Sequence, residues 1–214
     1  MKHIDYLIKR MPELSDVKCA MEAAVNAILT AYRAGGKVLL CGNGGSAADC
    51  EHIAGELLKG FLLRRTPCGE ELARLSAALG EEDARLLQRG IPAVALTAMS
   101  GIATAFANDV SPELLFAQEV YALGRAGDVV LGLTTSGNSK NVVRALKTAR
   151  ALGLTTVAMT GEGGGACRDC ADILITAPVR ETYRVQEYHL PIYHAICAEV
   201  EAVLFCAHTS LDFA

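Results

Sequence analysis

Continuous apolar runs alternate along this chain with segments of helical periodicity. The runs are rich in Val, Leu and Ile and contain few polar positions. Strands that are apolar at almost every position are buried on both faces, and their alternation with helices is typical of a parallel sheet covered on both sides. The pattern predicts strands at 37–41, 92–97, 128–133, 155–160 and 173–177.

The segments between these strands are predicted helices. Ser15 is the expected N-cap of one of them, which Gly35 and Gly36 end, and Ser111 followed by Pro112 begins another. The predicted helices cover about 4–10, 15–34, 47–61, 112–124, 140–152 and about 181–207. We therefore predict an α/β fold with a single domain over residues 1–214, a three-layer α-β-α sandwich around a mainly parallel sheet.

Residues 62–91 depart from this pattern. Arg64 and Arg65 belong to a predicted loop, and the following stretch is charged, with leucines spaced for one or two surface helices. We interpret the segment as an excursion inserted into the single domain.

The composition restricts the class of protein. Apolar residues make up 51% of the 214 positions, and the mean hydropathy is +0.28, but no apolar run reaches the roughly 18 residues that span a bilayer. We therefore expect the apolar excess in contacts between subunits, and we expect no membrane partner. A net charge of −4 without a basic block argues against nucleic acid. The beginning of the chain lacks the apolar stretch of a signal peptide, so we expect a cytoplasmic location.

The chain contains eight cysteines, an unusual number for its length. Those within apolar segments are predicted to be reduced core residues, namely Cys19, Cys41, Cys50, Cys197 and Cys206. Cys167 and Cys170 form a CxxC in a Gly-rich stretch with no second pair. We interpret this pair as a structurally inert loop, with redox or metal chemistry as the alternative.

Two Gly-rich loops each follow a predicted strand and begin a helix. The first is Gly42-Asn43-Gly44-Gly45-Ser46, and the second contains Thr134, Thr135, Ser136 and Ser139. The start of a helix offers unpaired N–H groups and a positive dipole end to a phosphate. Because the hydroxyls carry no fixed charge, the loops suit a neutral sugar with one phosphate better than a nucleoside triphosphate. The chain also lacks the Gly-x-Gly-x-x-Gly and Gly-Lys-Ser/Thr motifs of nucleotide-binding proteins.

A set of acid, base and metal-ligand side chains lies on two of the predicted helices. His52 and Glu56 are four residues apart on the helix after the first loop, and the last helix carries Gln186, His189 and His194. Each of these side chains alone is more often part of an ordinary helix pair or core. Together they lie on elements that should approach the cleft at the carboxyl ends of the strands.

These motifs resemble those of the phosphoheptose isomerases, members of the sugar-isomerase (SIS) class. The resemblance covers nearly the whole chain except about 62–91, and the Gly-rich loops identify only the wider class. The more specific part is the quartet His52, Glu56, Gln186 and His194. The matching segments, in order, are 42–49 with His52 and Glu56, Asn108-Asp109, 135–139, Ala171-Asp172, Glu181-Thr182, and 184–187 with His194.

The resemblance implies a function and a set of site residues. It implies conversion of sedoheptulose 7-phosphate to glycero-manno-heptose 7-phosphate by enediol proton transfer. From the apolar excess and the apolar faces of 17–32 and 195–206, we expect a homotetramer with sites near subunit interfaces. Glu56 and His194 would be the catalytic acid and base groups, and one zinc ion per site would be held by His52, Glu56, Gln186 and His194. The implied substrate-binding residues are Asn43, Gly44, Gly45, Ser46, Asn108, Asp109, Thr134, Thr135, Ser136, Ser139 and Gln186.

Gln186 and His194 are too far apart along one helix to share a metal simply. Eight residues of straight helix rise about 12 Å. Gln186 and His194 can bind the same metal ion only if their side chains point toward each other, if the helix is distorted, for example by a kink at Pro191, or if the two residues come from different subunits.

Two departures from the family pattern keep a second function open. The isomerases carry Gly-Arg-aromatic where this chain has Lys59-Gly60-Phe61, so the expected Arg is absent, and Lys59, Arg64 or Arg65 are the candidate substitutes. The 62–91 segment is also long for the family. The alternative is a noncatalytic SIS module that binds a sugar phosphate and a protein partner, similar to the relatives that bind the bacterial replication initiator and lack the quartet.

Overall fold

A five-stranded sheet forms the centre of the protein in the computed structural model, which describes residues 1–205. The strand order is β2-β1-β3-β4-β5, and each neighbouring pair is parallel. The strands are β1 (Val38–Gly42), β2 (Ala93–Ala95), β3 (Val129–Thr134), β4 (Thr155–Thr160) and β5 (Ile173–Thr176).

Helices cover both faces of the sheet. Along β1, Val38 and Leu40 pack into one apolar cluster with α1, α2, α3 and α9, whereas Leu39 and Cys41 pack into a second cluster with α7 and α8. The predicted three-layer sandwich is therefore confirmed. The helices are α1 (Lys2–Arg10), α2 (Lys18–Arg33), α3 (Gly45–Leu58), α4 (Gly69–Leu79), α5 (Glu81–Leu86), α6 (Ser100–Asp109), α7 (Leu115–Leu123), α8 (Lys140–Ala151) and α9 (Thr182–Phe205).

The predicted cap at Ser15 is wrong, whereas the helix start predicted at Ser111 and Pro112 is confirmed in position. Ser15 lies inside a 3₁₀ helix, Pro12–Val17, and its hydroxyl donates to the carbonyl oxygen of Pro12 at 2.7 Å, so α2 begins only at Lys18. This local bond to the backbone replaces the capping bond. Ser111 occupies the N-cap position of a 3₁₀ turn, Pro112–Leu114, that leads into α7, but its side chain makes no capping bond.

The other predicted boundaries are mostly close to the observed ones. The strand predicted at 92–97 is shorter, because a 3₁₀ turn, Leu96–Ala98, replaces its second half. Helix α6 was not predicted. Positions 206 and 207 of the predicted last helix lie outside the described residues. Within residues 1–205, no helix combines the length and the apolar character that crossing a bilayer requires.

The 62–91 excursion contains two surface helices, as predicted. Helix α4 has no buried residue, and Ala84 is the one buried residue of α5. Arg65 lies in a loop, as predicted, but its side chain is buried: it is only 2% exposed and pairs with Glu201.

The cysteines largely behave as core residues. Cys41, Cys50 and Cys197 are buried, as predicted, whereas the prediction for Cys19 is wrong because α2 turns it to solvent. Cys206 lies outside the described residues. Cys167 and Cys170 are both buried; burial raises the pKa of Cys167 to about 12 and also raises that of Cys170. Thiols with raised pKa values are poor nucleophiles and metal ligands near neutral pH, which favours the inert interpretation.

One buried carboxylate has no hydrogen-bond partner among residues 1–205. Glu119 on α7 is 1% exposed, and neither of its side-chain oxygens has a hydrogen-bond partner within the described part of the chain. Burial raises the pKa of Glu119 from 4.5 to about 7. The native state therefore favours the protonated acid, whereas the unfolded state ionises near the ordinary value.

We predict that Glu119→Gln stabilises the protein at pH 8 but not at pH 5. Because the native pKa lies above the unfolded one, the wild type loses stability as the pH rises from 4.5 through about 7. The amide stays neutral, so the gain at pH 8 should be about 1–3 kcal/mol. Urea unfolding at the two pH values measures this gain in the free energy of unfolding. An equal effect of the substitution at pH 5 and pH 8 would contradict the raised pKa of Glu119.

Candidate active site

The two Gly-rich loops lie side by side because β1 and β3 are neighbours in the sheet. Their carboxyl ends, Gly42 and Thr134, lead into the loops at the same edge. Gly44 has a φ of +57°, which favours glycine, and it directs the chain into α3. The sheet order thus brings the two predicted phosphate loops to one place.

A cavity of about 280 Å³ lies between the loops. It contains most of the predicted substrate-binding residues and no formally charged side chain. The lining consists of Asn43, Gly44, Gly45, Ser46, Leu133, Thr134, Thr135, Ser139, Thr182 and Gln186. Its chemistry matches that expected for a neutral, hydroxylated ligand.

Hydrogen bonds hold the polar wall of this cavity in place. The Asn43 and Asn141 amides donate to each other at 3.0 and 2.8 Å, which ties the first loop to the start of α8. The Thr134 and Ser139 hydroxyl oxygens are 2.9 Å apart. Sequence reasoning missed Asn141 and Thr182. The quoted Glu181-Thr182 motif was a signal for Thr182, whereas nothing in the pattern singled out Asn141.

Three predicted substrate-binding residues do not line the cavity. The Ser136 hydroxyl accepts the N–H of Asn138 at 3.1 Å within its own loop. Asn108 donates to the Asp109 carboxylate at 2.8 Å, and both are exposed at the end of α6. Their contact with substrate stays a prediction.

The predicted catalytic groups meet further along α3 and α9. His52 Nε2 lies 3.2 Å from Glu56 Oε1 and 3.5 Å from His194 Nε2. On the other side of the His52 ring, the Tyr193 hydroxyl lies 2.9 Å from Nδ1 and 3.2 Å from Asp49 Oδ1. We call His52, Glu56 and His194 the imidazole–carboxylate cluster. Sequence reasoning assigned no role to Tyr193 or Asp49, although Asp49 lies one turn before His52.

Gln186 is separated from this cluster. Its side chain rests on the start of α3, where a Cβ on Gly45 would lie 2.5 Å from the Gln186 amide nitrogen. Helix α9 continues through Pro191, so His194 lies two turns beyond Gln186. In one chain, Gln186 therefore belongs to the cavity and the other three quartet members to the cluster.

Burial shifts the pKa values of several groups in and around the cluster. Burial, and then the neighbouring His52, lower the pKa of His194 from its usual value, which favours the neutral imidazole, whereas Glu56 and Asp49 oppose that shift. Burial raises the pKa of Asp49, and the Tyr193 hydrogen bond opposes that rise. His189 does not join the cluster, because it is buried against the carbonyl oxygen of Thr160, and burial lowers its pKa to about 4.

Of the candidate substitutes for the absent Arg, Lys59 is the one beside the cluster. Its ammonium lies 3.4 Å from Glu56 Oε2 and is largely exposed. Arg65 is unsuitable because its guanidinium is buried and bonded to protein groups. Arg64 is exposed.

The donor chemistry of the cluster suits zinc, but the complete site is not assembled. Zinc binds histidine nitrogen at about 2.0–2.1 Å, so two ligands of one tetrahedral ion lie about 3.3 Å apart. The His52–Glu56 and His52–His194 separations of 3.2 and 3.5 Å are close to this value. However, across residues 1–205 no group of three or more His, Cys, Asp and Glu side chains is arranged to hold a metal ion. Metal binding therefore stays a prediction.

A second, larger cleft of about 590 Å³ opens next to His194. Helices α1 and α9 form its walls, and Phe61 and Leu62 close one side. The apolar side chains along it include Leu7, Leu190 and Pro191. The cluster thus borders an open, mainly apolar surface.

Comparisons with known proteins agree with this arrangement of loops and helices. The SIS domain family matches residues 2–87 and 84–161. A phosphoheptose isomerase of Roseiflexus sp. (strain RS-1) is 40% identical over 183 residues, which are 86% of this chain and 81% of that protein. A phosphoheptose isomerase of Mycobacterium tuberculosis (strain ATCC 25177 / H37Ra) is 42% identical over 186 residues, 87% of this chain and 83% of the relative.

A solved structure gives the same result for the fold. Phosphoheptose isomerase from Neisseria gonorrhoeae matches with a TM-score of 0.69 and 32% sequence identity, over 92% of this chain and 91% of that one. The chain therefore belongs to the phosphoheptose isomerase family of SIS domains and is an isomerase.

Proposed function

We propose that the protein interconverts sedoheptulose 7-phosphate and glycero-manno-heptose 7-phosphate through an enediol. The observation that carries this proposal is the meeting of Glu56 and His194 at one imidazole, His52, beside a hydroxyl-lined cavity. A noncatalytic module has no need for this cluster. The family names favour an isomerase of a phosphorylated sugar.

The distance between the cavity and the cluster suits a long substrate. Ser46 lines the cavity, and His52 and Glu56 follow it on α3, which corresponds to a rise of about 9 to 15 Å. With the phosphate at the Thr134–Ser139 loop, an extended sugar chain reaches from the cavity to the cluster. Gln186 and Asn43 then face the hydroxyl groups between the two ends.

Ketose–aldose isomerisation moves a proton between adjacent carbons and another between their oxygens. In our proposal the Glu56 carboxylate removes the proton from carbon and returns it to the neighbouring carbon. His194, whose lowered pKa favours the neutral imidazole, donates a proton to one oxygen and accepts one from the other. Lys59 places a positive charge beside Glu56, where it favours negative charge on the enediol oxygens.

We further propose that the cluster binds zinc, with His52, Glu56 and His194 as its ligands. When bound, zinc would polarise the sugar carbonyl. Gln186, which lies at Gly45 in its own chain, completes the set only from a neighbouring subunit or after a change of side-chain conformation.

A homotetramer with contacts along α1 and α9 is part of the proposal. Tyr6 and Leu190 are large, exposed residues on the walls of the 590 Å³ cleft beside His194, and a second chain would cover them. We predict that light scattering at micromolar concentration gives the mass of four chains. Leu190→Arg should give smaller species because it buries a charge in the contact, whereas Leu86→Arg on the exposed side of α5 should not. A monomeric wild type would contradict the proposal.

We predict that Thr134→Val combined with Ser139→Ala raises KM for the phosphorylated substrate roughly tenfold or more, because hydrogen bonds to a charged group are lost. The two hydroxyls bond each other, so removing both leaves neither unpaired. Thr104→Val is the matched control, since that hydroxyl bonds only carbonyls of its own helix. Steady-state kinetics measure both, and an unchanged KM in the double variant would place the phosphate elsewhere.

We predict that Glu56→Gln and His194→Asn each lower kcat by about 10² to 10⁴-fold, the range for general acid–base groups. Zinc content, measured by elemental analysis, should fall in both. Glu51→Gln provides the control, because Glu51 lies on the same helix but faces Thr97. Retained activity in both variants, together with metal-free wild-type protein, would make the cluster structural.

A further inference from the structure

A buried ion pair lies where α3 and α9 end. Glu201 is fully buried. Its carboxylate accepts the backbone N–H groups of Phe61 and Leu62 at 2.7 Å and that of Leu63 at 3.1 Å. It also accepts Arg65 Nε at 2.7 Å. Each carboxylate oxygen thus accepts two donors, which matches the acceptor capacity of an ionised carboxylate.

Arg65 extends the contact to α3. Its Nη1 donates to the carbonyl oxygen of Leu57 at 2.7 Å, and its Nη2 donates to that of Glu56 at 3.0 Å. These carbonyls belong to the last turn of the helix, where they have no N–H partner within the helix; that of Leu57 also accepts the backbone N–H of Ile91 at 2.8 Å. One guanidinium thus holds the backbone of the proposed base, Glu56.

The same pair fixes the other side of the cluster. Phe61, whose N–H bonds Glu201, has its ring 5.4 Å from the ring of His194. Glu201 lies seven residues after His194 on α9, which places the two on one face of the helix. The ion pair therefore connects the supports of Glu56 and His194 without contacting either side chain's reactive atoms.

We propose that Arg65 and Glu201 are positioning residues that set the distance between Glu56 and His194 in the active site. This inference rests on the proposed isomerase function. It assigns a role to the beginning of the 62–91 excursion, since Arg65 belongs to that segment and reaches back to the end of α3.

The chain contains a matched control at the opposite edge of the sheet. Asp128 is 2% exposed and accepts the N–H groups of Lys37 at 2.9 Å and Arg125 at 2.8 Å, together with Lys37 Nζ at 2.6 Å. It is therefore the same kind of buried, paired carboxylate. Because it precedes β3, it lies at the amino ends of the strands, away from the cluster.

The test compares Glu201→Gln with Asp128→Asn, both assayed well below their melting temperatures. Both should lower Tm. Only Glu201→Gln should lower kcat, by about tenfold to a hundredfold, with KM within about twofold, because misplacing a catalytic group affects the chemical step. Arg65→Lys keeps the charge but cannot reach the carbonyls of both Leu57 and Glu56, so it should lower kcat in the same way. This variant replaces Glu201→Gln in the test if Glu201→Gln does not fold.

Amide hydrogen exchange gives a readout that does not depend on activity. The amides of 61–63 should exchange at least about tenfold faster in Glu201→Gln and Arg65→Lys than in the wild type, because the bonds to the carboxylate are lost or loosened. Asp128→Asn should leave them unchanged. Wild-type protein that converts no sugar phosphate would refute the proposed function, and the exchange result would then decide whether the pair orders the site. The positioning role would be overturned if Glu201→Gln and Arg65→Lys both matched Asp128→Asn in kcat, or in the exchange rate of the 61–63 amides.

Discussion

The packing of α3 against α9 is the contact on which the site depends. Each helix alone carries only half of the chemistry, with His52 and Glu56 on one and Gln186 and His194 on the other. The contact begins where Gly45 leaves room for the Gln186 amide and ends where Arg65 joins the last turn of α3 to Glu201. Both helices pack on the same face of the sheet, and this shared apolar cluster aligns their polar positions.

The parallel sheet supplies the second constraint. Because β1 and β3 are neighbours, both Gly-rich loops end at one edge, and the uncharged cavity forms there. The cavity and the cluster are separate regions joined by two turns of helix. This separation is our reason for proposing an elongated, singly phosphorylated sugar as the substrate, since one end of it can be held while the other reacts.

Much of this architecture could be predicted from the sequence. The apolar runs predicted the five strands, and the loop composition predicted the chemistry of the cavity. Neither Ser15 nor Ser111 makes the expected capping bond, and the burial of Arg65 was not predicted, for related reasons. A serine chooses between capping a helix and bonding a nearby carbonyl according to the local backbone, and an arginine in a polar stretch is buried only if a distant carboxylate such as Glu201 meets it. Such long-range pairs leave no periodic signal. The partnership of Asn43 with Asn141, 98 positions later, was missed for the same reason.

The most direct test of the central claim uses the wild-type protein, purified with and without added zinc, and sedoheptulose 7-phosphate in deuterated water. Nuclear magnetic resonance follows the sugar. An enediol shared between Glu56 and His194 predicts that the aldose 7-phosphate appears and carries deuterium at the carbon next to its carbonyl, since the transferred proton exchanges with solvent. A sugar recovered unchanged and unlabelled under both conditions would contradict the account.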